Sequence, residues 1–213
     1  MVGIDEAGRG PLAGPVAVGA VLVPADFDWA LVPGVGDSKG LSPAVREEIF
    51  RRTQTLQYAR QLRYAVALVG AEVIDQHGIS FAIQTAVGRT LRRLDLLPRP
   101  LSLERGADAL LPSGAESVKI KLDGGLRAPA CFLDQETIIK GDVTEPAIGL
   151  ASIMAKVTRD RYMQKIARRY PHYGLAAHMG YGTKAHRAAI ATRGLTPIHR
   201  ASYCQNAKLW GKI

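Results

Sequence analysis

The chain has 213 residues, 47% of them hydrophobic, so it is long enough to bury a sizeable core within one domain. Its 28 lysines and arginines outnumber 19 aspartates and glutamates, and the net charge of +9 favours an anionic partner such as nucleic acid. With two cysteines, no signal-peptide pattern and no apolar run of membrane-spanning length, we expect a cytoplasmic protein without disulfides or a membrane anchor.

The chain begins with two predicted strands, at 2–4 and 16–23, joined by a glycine-rich turn that contains Gly-Arg-Gly. Asp5 and Glu6 stand between the first strand and this turn. Carboxylates suit hard divalent cations, and a turn without side chains lets backbone N–H groups approach a phosphate. Because neighbouring strand residues face opposite sides, both acids can share one site only if the strand ends at Glu6. The segment indicates metal-assisted phosphodiester cleavage.

Periodicity and capping residues predict the elements that follow a loop at 24–40. In the first half they are a helix at 43–55, a strand at 62–69, a helix starting near 71 and a helix at 79–94. The irregular section 101–117 predicts an inserted loop or a weak helix. Then come a strand at 118–122, a strand within 130–139, a helix from the cap at 144–146 to about 170, and a partly helical tail at 171–213. This order predicts an α/β fold, a mixed sheet flanked by helices.

Two further acids, Asp123 and Asp142, follow the strands predicted in the second half of the chain. Strands that point the same way on one sheet bring the carboxylates at their ends together. Four clustered carboxylates would raise one another's pKa, whereas two divalent cations about 3.5–4 Å apart would cancel the repulsion. The four acids therefore indicate a two-metal centre.

Residues 3–16 resemble the N-terminal signature of the ribonuclease HII family, which cuts RNA strands paired with DNA. The resemblance continues through Leu122-Asp123-Gly124, Lys140-Gly141-Asp142 and the stretch 151–160. It implies a ribonuclease H-like catalytic domain over 1–213, with a core at about 1–170 and a helical, substrate-contacting extension at about 171–213.

The resemblance also implies which residues hold the metal. The ligands of two Mn²⁺ or Mg²⁺ ions would be Asp5, Glu6, Asp123 and Asp142. Hydrolysis would then need no His or Ser nucleophile and would leave a 5′-phosphate and a 3′-hydroxyl. Asp160 is a rival fourth acid, but its helical position four residues after Lys156 favours a structural ion pair. The histidines of the tail are expected to be surface or structural groups.

Two elements resemble the family's readers of the sugar. Gly8, Arg9 and Gly10 match the turn that reads the 2′-hydroxyl beside the scissile phosphate, the group that separates RNA from DNA. Tyr181 matches the tyrosine that stacks on the deoxyribose after the last ribonucleotide, although a tyrosine between glycines also serves as a loop anchor.

Other residues resemble phosphate contacts of the family. Ser38 and Lys39 lie in Asp-Ser-Lys, and Lys156 lies in the 151–160 stretch. Secondary candidates are Lys140, Arg159, Lys184 and Arg187. Met179 stands where the family usually has a lysine, which removes one expected phosphate contact.

The leading prediction is an endoribonuclease that cuts the RNA strand of RNA–DNA hybrids and cuts 5′ of single ribonucleotides in duplex DNA. The related type III enzymes end their acid set with Glu, so Asp142 favours type II. A basic binding module without activity is disfavoured because all four acids are present. Another metal nuclease or transposase acting on DNA is disfavoured by the ribose-reading elements. We expect a monomer with nucleic acid as partner, and any replication or repair partner is left open.

Overall fold

The protein, described by a computed structural model for residues 1–35, 40–98, 118–206 and 210, contains one five-stranded sheet of order β3-β2-β1-β4-β5. The strands are β1 Val2–Ala7, β2 Val16–Leu22, β3 Arg63–Val69, β4 Ile120–Asp123 and β5 Gln135–Ile138. β2 pairs antiparallel with β1 and β3, whereas β4 pairs parallel with β1 and β5. The mixed sheet expected of an α/β fold is therefore confirmed.

The helices follow the predicted order. They are α1 Pro43–Tyr58, α2 Ala71–His77, α3 Ile79–Arg93, α4 Gly141–Thr144, α5 Pro146–Ala167, α6 Leu175–His178 and α7 Lys184–Arg193. The Ser42 hydroxyl accepts the N–H of Val45, which confirms the predicted cap of α1. At α5 the predicted cap is wrong in detail, because Thr144 ends the separate turn α4 and no side chain caps the N-terminus of α5. The irregular section 101–117 lies outside the described residues.

Helix α5 lies unusually close to the sheet because two strand residues lack side chains. A β-carbon added to Gly3 would lie 2.2 Å from the carbonyl carbon of Ala147, and one added to Gly19 would lie 2.2 Å from the carbonyl oxygen of Ala151. Helix α3 packs on the opposite face, where its apolar stripe buries Ile83 among the side chains of β1 and β2. The sheet is thus covered on both faces, and α5 is held at a fixed distance from β1.

The tail packs against the turn that follows β1. Ala13, Met163 of α5 and Tyr173 share a buried cluster with residues of α6 and α7. Trp210, which is partly buried, packs against this cluster. Within the parts of the chain that are described, no helix has the length and apolar character needed to span a membrane.

Candidate active site

An open cavity of about 440 Å³ lies where the parallel strands β1 and β4 end. Its wall combines β1, the turn after it, α1, β4, α5 and the loop after α6. The described lining residues are Asp5, Glu6, Ala7, Gly8, Arg9, Gly10, Arg46, Asp123, Ser152, Lys156, Arg159 and Tyr181. The fold therefore gathers three of the four predicted acids, all three residues of the Gly-Arg-Gly turn, Lys156 and Tyr181.

Asp5 and Glu6 reach the cavity by a different route from the one expected. The strand does not end at Glu6, because β1 runs on to Ala7. However, β1 pairs with β4 only as far as Ile4, opposite Leu122, so its last residues project beyond their parallel neighbour. The end of β1 stays paired with β2 through Ala7 but has no strand partner on its β4 side within the described ranges, and both Asp5 and Glu6 line the cavity there.

Asp5 carries the strongest electrostatic perturbation of the site. Its side chain is 4% exposed, and burial raises its pKa to about 8, with further contributions from the charges of Glu6 and Asp123. A hydrogen bond to Ser152 of α5 opposes this rise, as does the 2.7 Å bond from the Glu6 N–H to Asp5 Oδ1. The site therefore holds carboxylates together against their repulsion.

Asp142 lies beside the site but is not at a strand end. Strand β5 ends at Ile138, and Lys140 takes a left-handed conformation, with φ of 57°, that turns the chain into α4. This places the buried Asp142 in the first turn of α4, where its N–H donates to Asp123 Oδ1 over 3.3 Å. Asp142 is not among the described residues of the cavity wall, and it joins the other acids through Asp123.

The chemistry of these acids fits a hard divalent cation. Carboxylate oxygens are the donors that Mg²⁺ and Mn²⁺ prefer. A cation would offset both the burial that chiefly raises the pKa of Asp5 and the smaller contributions from Glu6 and Asp123. Over the described ranges, no three or more Asp, Glu, His or Cys side chains are already arranged to hold an ion. The chemistry of the donors therefore fits a hard divalent cation, with Asp5, Glu6 and Asp123 as the acids that line the cavity.

The two glycines of the Gly-Arg-Gly turn serve different purposes. Gly8 has φ of 85°, and a β-carbon there would lie 2.0 Å from Nε of Arg159, so both conformation and packing require glycine. A β-carbon on Gly10 would meet nothing within 4 Å. Gly10 therefore leaves the backbone open from the cavity side, and Arg9 extends an exposed guanidinium 3.3 Å from Glu6 Oε1.

Arg159 is not a free phosphate contact, contrary to its place among the secondary candidates. It is 1% exposed, and its guanidinium donates to the carbonyls of Pro15 at 2.9 Å, Met179 at 3.0 Å and Ala13 at 3.2 Å. Burial lowers the pKa of Arg159 from its usual value. Its main role is to tie the turn after β1 to the loop that carries Tyr181.

Lys156 and Asp160 form the predicted ion pair. Lys156 Nζ lies 2.7 Å from both carboxylate oxygens of Asp160, one helical turn further along α5. The same lysine lines the cavity. This confirms the interpretation of Asp160 as an ion-pair partner.

Tyr181 stands 46% exposed on the cavity wall, with the Arg159 guanidinium carbon 5.9 Å from its ring centroid. Its main chain is fixed at both ends of the residue. The N–H donates to the carbonyl of His178 over 2.8 Å, and the carbonyl lies 2.9 Å from His186 Nδ1. A fixed backbone and an accessible ring are what a stacking side chain requires.

Three of the tail histidines contact one another, and two of them, His186 and His199, are buried. His186 and His199 approach through their Nε2 atoms at 3.1 Å, and His178 stacks on His186 at 4.4 Å between ring centroids. Burial lowers the pKa of both His186 and His199, that of His199 to about 4, so the pair is neutral at pH 7. These contacts agree with the expected structural role.

The remaining predicted phosphate contacts form two groups. Ser38 and Lys39 fall outside the described residues. The other secondary candidates, Lys140, Lys184 and Arg187, are not among the described residues of the wall. The structure adds Arg46 of α1 and Ser152 of α5, which no sequence pattern marked as site residues; Ser152 stood in the matched stretch 151–160 without a role.

A mixed sheet of this strand order, covered by helices on both faces and carrying acids where its parallel strands end, defines the α/β ribonuclease H-like class. Within that class, a model of the family described as ribonuclease HII matches residues 2–206. The chain belongs to the ribonuclease HII family, as its sequence predicted.

The relatives agree with this assignment. Ribonuclease HII of Geobacillus thermodenitrificans (strain NG80-2) is 41% identical over 203 residues, which cover 95% of this chain and 68% of that protein. The ribonuclease H2 of Pyrococcus horikoshii OT3 superposes with a TM-score of 0.67 at 26% identity, covering 99% of this chain and 96% of that one. A chain from the PCNA:RNase HII complex of Archaeoglobus fulgidus gives a TM-score of 0.71 at 24% identity, covering 97% and 96%.

Family membership establishes the general activity. The chain is a ribonuclease H, an endonuclease for RNA–DNA hybrids, and belongs to enzymes that depend on divalent metal ions. The predictions of an enzyme, of a hydrolase and of a nucleic-acid substrate are therefore confirmed, and the alternative of an inactive binding module is wrong.

Proposed function

We propose that this enzyme cuts RNA–DNA hybrids and also cuts duplex DNA 5′ of a single ribonucleotide, leaving a 5′-phosphate and a 3′-hydroxyl. The observation that carries the proposal is the meeting of acids, Gly-Arg-Gly turn and Tyr181 around one cavity. A site that reads a single ribose and its following deoxyribose needs these parts within a few ångströms of the cleaved bond. The whole chain would act as one catalytic domain.

The four acids are proposed to hold two divalent cations, Mg²⁺ or Mn²⁺. Bound ions of this kind supply an activated water and stabilise the leaving 3′-oxygen. Asp5 and Glu6 contribute from β1, Asp123 from β4 and Asp142 from α4. The geometry supports the assignment, because Asp5, Glu6 and Asp123 line one cavity and Asp142 donates its N–H to Asp123. Burial, with smaller contributions from Glu6 and Asp123, raises the pKa of Asp5, and a bound cation would favour its charged form.

Substrate recognition is assigned to other residues of the cavity wall. The backbone at Gly8 and Gly10 would read the 2′-hydroxyl, and the exposed guanidinium of Arg9 would contact a phosphate. Lys156 supplies a second cation at the cavity, and the half-exposed ring of Tyr181 would stack on the deoxyribose.

Two more phosphate contacts, Ser38 and Lys39, rest on the sequence resemblance. The net charge of +9 supports a duplex partner of high negative charge.

The test is cleavage of an end-labelled duplex that carries one ribonucleotide, compared with the same duplex made entirely of DNA. We expect a single cut 5′ of the ribonucleotide with Mg²⁺ or Mn²⁺, no cut with EDTA, and a nicked strand whose 3′-hydroxyl a polymerase extends. Asp5→Asn and Asp142→Asn should lower the rate at least about 100-fold, because each removes a charge needed at the transition state. The exposed Asp26→Asn is the matched control. Undiminished cleavage by Asp5→Asn, or an uncut ribonucleotide duplex with wild type, would refute the proposal.

A further inference from the structure

A buried arginine near the C-terminal end of the chain donates hydrogen bonds to the main chain of the Gly-Arg-Gly turn. Arg200 is 0% exposed. Its guanidinium donates to the carbonyls of Gly8 at 2.6 Å, Arg9 at 2.8 Å and Gly14 at 3.1 Å. Because the guanidinium is planar and its donors are fixed in a fork, three simultaneous bonds specify the direction of each carbonyl.

These bonds determine where the N–H groups of the turn point. In a trans peptide unit, the carbonyl and the following N–H lie in one plane and point in opposite directions. The Gly8 carbonyl turned inward to Arg200 therefore turns the N–H of Arg9 outward, and the Arg9 carbonyl does the same for the N–H of Gly10. Both residues line the cavity. Arg200 thus orients the two donors that a sugar hydroxyl or phosphate oxygen would meet.

The main chain around Arg200 is also held by hydrogen bonds. The main-chain N–H of Arg200 donates to the carbonyl of Leu12 over 2.8 Å. The next two N–H groups donate to the carboxylate of Asp75 in α2, from Ala201 at 2.8 Å and from Ser202 at 3.0 Å. The segment that carries Arg200 is therefore fixed on both sides.

The carbonyl of Arg9 accepts a second hydrogen bond, from a tyrosine hydroxyl. The Tyr203 hydroxyl donates to the carbonyl of Arg9 over 3.3 Å, next to the bond from Arg200. Removing it changes the support of the turn while leaving the buried guanidinium in place.

The burial of a second cation here calls for an explanation. Arg200 and Arg159 lie close enough to interact electrostatically, and both guanidiniums donate to main-chain carbonyls and lie over tyrosine rings. Burying a guanidinium that donates to carbonyls rather than directly to a carboxylate is costly, so an apolar side chain would serve better if only packing mattered. What an apolar side chain lacks is the ability to fix three carbonyls at once.

We propose that Arg200 is a positioning residue for ribose recognition, holding the Gly-Arg-Gly turn so that the N–H groups of Arg9 and Gly10 meet the ribonucleotide. The role rests on the proposed function of that turn. A misplacement of about 1 Å in such a site typically costs about 100-fold in rate. Arg200→Lys keeps the charge but loses the fork, and we expect its kcat on a single-ribonucleotide duplex to fall about 10–100-fold.

The test separates positioning from loss of fold. Steady-state kinetics give kcat and KM for wild type, Arg200→Lys and the exposed control Arg193→Lys, while fluorescence anisotropy in EDTA gives affinity for an all-DNA duplex. We expect kcat alone to fall in Arg200→Lys, with KM and duplex affinity within about 2-fold of wild type, and no change in Arg193→Lys. In Arg200→Ala, added guanidinium ion should raise kcat at least about tenfold.

Tyr203→Phe provides a variant that keeps the buried arginine, and it should lower kcat about 2–5-fold. Unchanged kcat in Arg200→Lys, or equal losses of kcat and duplex affinity, would overturn the positioning role. If Arg200→Lys does not fold, unchanged kcat in Tyr203→Phe overturns it and a selective fall supports it. A wild type that fails to cut the ribonucleotide duplex would instead refute the proposed function, so the two failures are distinguishable.

Discussion

Gly8→Ala is the most informative single change, because one methyl group meets both a backbone constraint and a buried cation. The residue has φ of 85°, a region that L residues with a β-carbon rarely adopt. The added carbon would lie 2.0 Å from Nε and 2.4 Å from Cδ of Arg159, far inside contact distance. Arg159 cannot move without breaking its bonds to three carbonyls.

The expected loss of stability follows from two contributions. A non-glycine residue held at positive φ costs about 1–2 kcal/mol. Loss or distortion of one hydrogen bond from a buried charged donor costs about 1.5–3 kcal/mol. The free energy of unfolding should therefore fall by about 3–5 kcal/mol, which for a chain of this length lowers the melting temperature by about 6–20 °C.

Gly10→Ala is the matched control from the same turn. A β-carbon at Gly10 meets nothing within 4 Å, so its free energy of unfolding should stay within about 0.5 kcal/mol of wild type. Thermal and urea unfolding of both variants, without divalent ions, measure the difference directly. Equal stability of the two variants would refute the packing argument, and it would do so whatever their activities, since both residues belong to the proposed substrate-reading turn.

Three other predictions concern the metal, pH and duplex binding. Mn²⁺ at about 100 times its Kd should raise the free energy of unfolding of wild type by about 2.7 kcal/mol, which is about 5–11 °C in melting temperature in a calorimetric scan. Asp5→Asn should gain clearly less, and an equal rise in melting temperature in both proteins would place the ion elsewhere. Burial and the neighbouring His186 lower the pKa of His199 to about 4, so between pH 6.5 and 4 the unfolded chain binds a proton that the folded chain excludes. Stability should therefore fall by about 3 kcal/mol in total as pH drops through that window, with His199→Gln showing a flatter profile in urea melts; identical profiles would contradict the burial argument. Lys156→Met should reduce the salt dependence of duplex affinity by about one phosphate contact, whereas Asp160→Asn should leave it unchanged; an unaltered slope in the methionine variant would remove Lys156 from the substrate contacts.

The order of elements could be predicted from the sequence because each depends on local patterns. The apolar stripe of α3 and the Ser42 cap of α1 are properties of neighbouring residues, and both occur as expected. The positions of the acids required more, since they depend on pairing between distant strands. Among the described residues, the end of β1 has no partner on its β4 side, because β4 pairs with β1 only up to Ile4. No pattern within β1 encodes where that pairing stops.

The buried arginines were the main failure of sequence reasoning. In a chain with 28 lysines and arginines, charge alone favours solvent or phosphate for each of them. Arg159 was interpreted as a phosphate contact, and Arg200 was not singled out. Apart from Met179, the carbonyls that accept from these two side chains are more than 140 residues away in sequence, such as Pro15 for Arg159 and Gly8 for Arg200. Carbonyl partners leave no trace in residue types, so only the folded chain reveals them.

Helix α5 links the proposed metal site to the proposed substrate-reading turn. Its Ser152 hydrogen-bonds Asp5, and its Arg159 packs under Gly8, so a single rigid helix fixes one proposed ligand and one proposed reader. The close contact at Gly3 sets the distance of this helix from β1, the strand that leads directly into both parts. An error in that distance would move the acid and the turn together, which preserves their mutual spacing. The proposed cleavage next to one ribonucleotide would require that spacing, because reacting groups must be held in a fixed mutual geometry.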